Sequence, residues 1–139
     1  MEINVIGKAI LVLSSFYHLI AGIMSIGPSK WLVYFGKKTY SLEIAENFEP
    51  RYQLTVRALG KFALFTSSIL FYIALYSDKK TQQFVLINLG VLFLIRALLR
   101  VLQKELFYKA YKIDFNRSLK NIIFNIILGL CTIVVGILY

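Results

Sequence analysis

Residues 121–139 have the sequence NIIFNIILGLCTIVVGILY, which contains no charged side chain. A helix needs about 20 apolar residues to cross a bilayer, within a range of about 17–25, so this segment is long enough to span one. Small and polar residues recur along it at helical spacing: Asn121, Asn125, Gly129, Thr132 and Gly136. Membrane helices pack against each other through such faces, so the segment predicts one helix of a transmembrane bundle.

Three further stretches lack charge, at 9–29, 62–77 and 81–95. The first is long enough to span directly. The other two reach that length if flanking Arg and Lys side chains extend toward the headgroups. We therefore predict an all-α integral membrane four-helix bundle, a single transmembrane domain over 1–139. Its helices are expected at about 5–27, 57–77, 82–102 and 119–139.

The composition excludes several functional classes. Hydrophobic residues make up 58% of the chain and charged residues 17%, whereas soluble domains are nearer half apolar and a quarter charged. The net charge of +9 lies in clusters between the apolar segments, which indicates contact with anionic lipid headgroups and not with nucleic acid. Cys131 is the only cysteine, so we predict no multi-cysteine metal site, and no cofactor is expected.

The distribution of Lys and Arg predicts an orientation. Thirteen of the 16 lie in or beside the connections at 28–56 and 103–117, and only Lys8, Lys79 and Lys80 lie on the other side. Because cytoplasmic loops carry an excess of Lys and Arg, both connections are expected to be cytoplasmic and both termini outside. A bacterial cytoplasmic membrane is the expected location.

Four cations near these connections form the first candidate site. Arg57 and Lys61 are four residues apart, as are Arg96 and Arg100, so each pair shares one helix face. Taking the second and third helices as antiparallel neighbours places all four at one depth. They predict a site for an anionic headgroup, because guanidinium groups bind phosphate bidentately. The alternative is ordinary positive-inside anchoring, with Glu43, Glu46 or Glu49 as partners.

Polar residues inside the predicted spans form the second candidate set: His18, Asn88 and Asn125. Ionisable groups within a membrane are functional hypotheses by default. The alternative is a neutral histidine that hydrogen-bonds to an asparagine or a serine, with close helix packing around it. No second metal ligand accompanies His18, and no carboxylate lies in the apolar stretches to serve a proton relay.

Several short motifs resemble the DoxX-like group of small four-helix bacterial membrane proteins. They are the end of the first helix at 22–27 with Trp31 and Gly36 after it, Asn47-Phe48-Glu49-Pro50-Arg51, and Arg57-Ala58-Leu59-Gly60 at the start of the second helix. The resemblance covers most of the chain. It implies a four-helix bundle and assigns no catalytic residue.

Three functional hypotheses follow. The first is a non-enzymatic membrane module that binds lipids, anionic ones above all, or a partner that is a second copy or another membrane protein. The second is a membrane enzyme acting on an anionic amphipathic substrate at the cytoplasmic interface. The third is an oligomeric transporter subunit, suggested by the intramembrane polar residues.

Overall fold

The structure is a computed structural model that describes residues 3–40, 50–111 and 115–139. These residues contain six helices, which we number in chain order. They are α1 (Ile3–Ile26), α2 (Ser29–Tyr40), α3 (Pro50–Tyr76), α4 (Lys79–Leu102), α5 (Lys104–Tyr111) and α6 (Phe115–Leu138).

Four of the helices have the length and apolar composition of membrane spans. These segments are Ile3–Ile26, Gln53–Tyr76, Lys79–Leu102 and Leu119–Leu138. The prediction of an all-α four-helix bundle is confirmed. We call the side carrying α2 and α5 the connection side. The side carrying the turn at 77–78 is the turn side.

The helix boundaries differ from the predicted ones in the first connection. The first helix ends before Gly27-Pro28, as expected, because proline cannot continue a helix. A separate helix, α2, then follows at once. Helix α3, which corresponds to the second predicted helix, begins at Pro50, well before the predicted start at residue 57. Residues 41–48, for which the sequence suggests a short helix lying on the membrane, are outside the described residues.

The bundle is built from two helix pairs. Helix α1 packs along α3, and α4 packs along α6, whereas contacts between the pairs are few. The expectation that α3 and α4 pack as antiparallel neighbours is wrong, because these helices make few contacts. Each pair consists of two spans joined through a short helix, so both halves of the chain are built alike.

A glycine-to-glycine contact brings each pair close together. A Cβ atom on Gly22 would lie 2.9 Å from the carbonyl oxygen of Gly60, and one on Gly90 would lie 2.7 Å from that of Gly129. Side chains at these positions would meet backbone atoms, which cannot turn away. The small residues therefore let the backbones approach, as is common in membrane helix packing.

A hydrogen bond between serines supports the α1–α3 contact. The hydroxyl of Ser15 donates to the carbonyl oxygen of Ser67 over 2.8 Å, and both side chains are buried. The small and polar residues of α1 predict a packing face made of Gly7, Ser14, His18, Ala21 and Ser25. The structure buries Gly7 together with Leu11, Ser15 and Gly22, whereas Ser14 and His18 are only half-buried. The face of α1 that carries Ser14 and His18 is therefore not the one that packs against α3.

On the turn side, Gln82 joins three helices. Its Nε2 atom donates to the carbonyl oxygens of Ile73 and Ser77, each 3.0 Å away, at the end of α3. Its Oε1 atom accepts a hydrogen bond from the hydroxyl of Tyr139, which follows α6. Around this point an apolar core unites the two pairs: Leu11, Leu70, Ala74, Leu86 and Tyr139.

Asp78 caps the first turn of α4, and we expect this cap to make stability depend on pH. The backbone N–H and hydroxyl of Thr81 donate to the carboxylate at 3.0 and 2.8 Å. The Thr81 backbone N–H, and then its hydroxyl, lower the pKa of Asp78 below its ordinary value of 3.8. A lowered pKa means that the folded state favours the charged form. The stabilisation is therefore complete above pH 3.8 and is lost as the pH falls through the lowered pKa.

Thermal unfolding followed by circular dichroism should show this loss in the original protein. The Asp78→Asn variant should melt at a lower temperature at neutral pH, and the difference should shrink in acid. Asp78→Asn is matched by Lys80→Gln, which alters a charge in the same turn but leaves the cap. Equal acid sensitivity in Asp78→Asn and the original protein would contradict the assignment.

Candidate functional site

A cavity of about 780 Å³ lies between α1, α4 and α6 in the half of the bundle nearest the connection side. The two helix pairs meet through the apolar core on the turn side, and the cavity occupies the space between them further along. Its volume falls within the range of small-molecule sites, about 300–1,000 Å³.

The cavity is mostly apolar, with a few polar groups from each helix. Apolar walls include Ile10, Leu13, Leu92, Phe93, Ile122 and Leu128. Polar side chains come from α1 (Ser14, Tyr17, His18), from α4 and the residue that caps its C-terminus (Arg96, Arg100, Gln103) and from α6 (Asn121, Asn125). An apolar cavity with a few convergent polar groups is the usual form of a ligand site.

The cations of the cavity lie on one face of α4. Arg96, Arg100 and Gln103 are spaced i, i+4 and i+7, which places them on the same side of the helix. Atoms Nε and Nη2 of Arg100 are buried, whereas Arg96 is exposed. Both arginines also make interactions within the protein. Positive charge is thus concentrated toward the connection side.

The other two predicted cations do not line this cavity. Arg57 lines a separate shallow depression with Ser25, Gly27 and Gln53, next to the end of α1. Lys61 is exposed on α3. The cavity therefore contains half of the predicted four-cation cluster. Arg57 and Lys61 lie on α3, which pairs with α1. The expected packing of α3 against α4 would have placed them beside Arg96 and Arg100.

His18 lies in the cavity wall with a defined tautomer. Its Nδ1 atom lies 2.7 Å from the carbonyl oxygen of Ser14, which can only accept, so Nδ1 carries the hydrogen. In the neutral ring Nε2 is then an acceptor. The ring meets that of Tyr17 edge to face, with centroids 5.5 Å apart, and this contact holds its orientation.

The two predicted intramembrane asparagines have different surroundings. Asn125 lines the cavity, and its Nδ2 atom donates to the carbonyl oxygen of Asn121 at 2.6 Å. Asn88 is exposed, and its Nδ2 atom donates within α4 to the carbonyl oxygen of Phe84. The structure thus brings His18 and Asn125 to one cavity and leaves Asn88 on the outer surface of the bundle.

Tyr17 and Gln103 were not among the predicted site residues. The spacing of Gln103 from Arg96 and Arg100 was a usable signal in the sequence. Tyr17 is adjacent to His18, but an aromatic residue in a membrane span is too common to be singled out.

Comparison with protein-family models, with curated proteins and with solved structures finds no significant match.

Proposed function

We propose that this protein is a non-enzymatic membrane module that binds an anionic amphiphile in the cavity between α1, α4 and α6. The anionic head lies at Arg96 and Arg100, and the apolar tail follows the walls toward the middle of the bundle. The observation that carries the proposal is one cavity with apolar walls and both arginines on its connection side.

The headgroup, and not the tail, determines what binds. Lipid tails are as apolar as the Leu and Ile side chains of the wall, so moving a tail from the bilayer into the cavity gains little free energy. Charge-assisted hydrogen bonds to an arginine contribute about 1.5–3 kcal/mol. The buried Nε and Nη2 atoms of Arg100 strengthen such bonds, because electrostatic interactions increase where water is excluded.

The distribution of Lys and Arg supports a cytoplasmic position for the connection side, with both termini outside. On that orientation the arginines of the cavity face the leaflet that carries anionic lipids. A bacterial cytoplasmic membrane and membership of the DoxX-like group remain proposals, which rest on the charge distribution and on the short motifs respectively.

Native mass spectrometry of the protein extracted in mild detergent tests the proposal. We expect a copurifying phosphate-bearing lipid on the original protein. The Arg96→Leu variant should carry about tenfold less of this lipid, because one charge-assisted interaction is removed.

The Arg57→Leu variant is the matched control, since it removes the same charge from the same side of the bundle outside the cavity. Equal loss of lipid from both variants would mean that the arginines attract lipid through general surface charge and not through a site in the cavity. A folded original protein without lipid, which also fails to take up added phosphatidic acid, would contradict the proposal.

The enzyme hypothesis needs a chemical group beside the arginines, and the nearby acids Glu43, Glu46 and Glu49 lie outside the described residues. The transporter hypothesis receives less support. The proposed transporter stripe contained Asn88, which faces away from the cavity. Partner binding by the same membrane module remains compatible with lipid binding.

A further inference from the structure

Two residues that line the cavity together with the arginines each have a hydrogen-bond acceptor left over. His18 uses Nδ1–H on the carbonyl oxygen of Ser14, and Asn125 uses Nδ2–H on that of Asn121. Nε2 of His18 and Oδ1 of Asn125 therefore remain as acceptors. In the described part of the chain neither atom has a protein donor. Both residues line the cavity, so their donors can come from a ligand or from water.

The depth of His18 matches that of Arg96. His18 lies eight residues before the end of α1, and Arg96 lies six residues before the end of α4. At about 1.5 Å per residue, both are roughly two helical turns inside the connection side. Arg100 lies one turn nearer the connection side. An anion held between the two arginines thus places the next atoms of the ligand beside His18.

We propose that the cavity selects an anionic amphiphile with a hydroxyl group between its charged head and its apolar tail. The hydroxyl donates to Nε2 of His18 while the anion contacts Arg96 and Arg100. Oδ1 of Asn125 accepts from a second hydroxyl or from a water that enters with the ligand. A lysophosphatidic acid has this arrangement, with a free central hydroxyl between phosphate and acyl chain.

The selectivity follows from the low polarity of the walls. A ligand without the hydroxyl displaces water from His18 and leaves the acceptor without a donor in an apolar cavity, which carries a desolvation cost. One such hydrogen bond corresponds to about tenfold in affinity. This inference rests on the proposed binding of an anionic amphiphile and adds the requirement for a hydroxyl.

Two probes that differ by one group provide the test. They are a lysophosphatidic acid and the acyl propanediol phosphate with the same chain, which lacks only the central hydroxyl. Binding is measured to the full protein in phosphatidylcholine nanodiscs, because that headgroup carries no hydroxyl to compete. We expect the hydroxylated probe to bind about tenfold more tightly. Glycerol 3-phosphate has no tail to concentrate it in the bilayer beside the cavity, so it should bind far more weakly than either.

The His18→Phe variant should reduce the ratio of the two affinities to about one, since phenylalanine keeps the ring and removes the acceptor. Asn88→Leu removes a polar group outside the cavity and should leave the ratio unchanged.

Equal binding of both probes to the original protein would overturn the hydroxyl requirement and leave the proposed function intact. Binding of neither probe would overturn both. Glycerol 3-phosphate binding as tightly as the lysophosphatidic acid would identify a plain phosphate site and would also overturn the inference.

Discussion

The Gly90→Leu variant is expected to lose roughly 3 kcal/mol of unfolding free energy, because overpacking a tight contact displaces backbone. A Cβ atom at this position would lie 2.7 Å from the carbonyl oxygen of Gly129 and 3.0 Å from the backbone nitrogen of Ile133. Neither atom can rotate away as a side-chain end does. Helix α6 must therefore move outward from α4 along its length.

Unfolding in mixed micelles, followed by circular dichroism as SDS is titrated, measures this loss. Asn88→Leu is the matched control, two residues away on the exposed side of the same helix, and should change stability by less than about 0.5 kcal/mol. Gly90→Ala should fall between the two. Equal stability of the two leucine variants would mean that α4 and α6 do not approach at Gly90.

The Gln82→Leu variant is expected to lose about 2 kcal/mol, because it removes a buried amide that hydrogen-bonds to the end of α3 and to Tyr139. In the original protein the side-chain amide of Gln82 donates hydrogen bonds to the carbonyl oxygens of Ile73, Ala74 and Ser77. It also accepts one from the hydroxyl of Tyr139. Leucine fills the space but can satisfy none of them. Because Gln82 is buried, water cannot readily replace it.

The same SDS titration tests this prediction, with Gln83→Leu as a neighbouring control of the same residue type. Among the described residues, Gln83 makes one long hydrogen bond, of 3.4 Å, to the carbonyl oxygen of Ile137, so little change is expected. A double-mutant cycle with Tyr139→Phe should give a coupling of about 1 kcal/mol. Additive effects of the two substitutions would show that Gln82 and Tyr139 do not interact.

The number of long apolar helices could be predicted from the sequence because the bilayer sets the length and composition of a span. A span must be about 20 apolar residues long and must satisfy its backbone internally, which leaves few alternatives for a chain this apolar. Gly129, Thr132 and Gly136 were expected on the packing face of α6, and the structure buries all three. In α6 the alignment of small residues therefore indicated the packing face.

The pairing of the helices could not be predicted. The periodicity of a sequence shows which face of a helix points inward, but it does not show which other helix that face contacts. A short turn at 77–78 suggested that α3 and α4 pack together. The glycine contacts instead pair α1 with α3 and α4 with α6, since Gly22 fits against Gly60 and Gly90 against Gly129. Such complementarity depends on the relative heights of two helices, which the sequence of either one does not contain.

The site illustrates the same limit at the level of single residues. Ser14 and Ser15 differ by one position, which is about 100° around the helix axis. This rotation decides that Ser15 packs against α3 while Ser14 and His18 line the cavity. A pattern containing serine at both positions cannot distinguish the two faces. The arginines of α4 were found because charge within an apolar stretch is rare.

The pairing of consecutive spans also sets the order in which the molecule can assemble during synthesis. Chains fold from the N-terminal part first as they are made. Helices α1 and α3 can dock while α4 is still entering the bilayer, since their contact needs no later residue. Helices α4 and α6 then form a second unit by the same route. The Gln82 junction joins residues of three helices, and its bond to Tyr139 can form only after α6 is inserted, so this junction is completed in the last step of biogenesis.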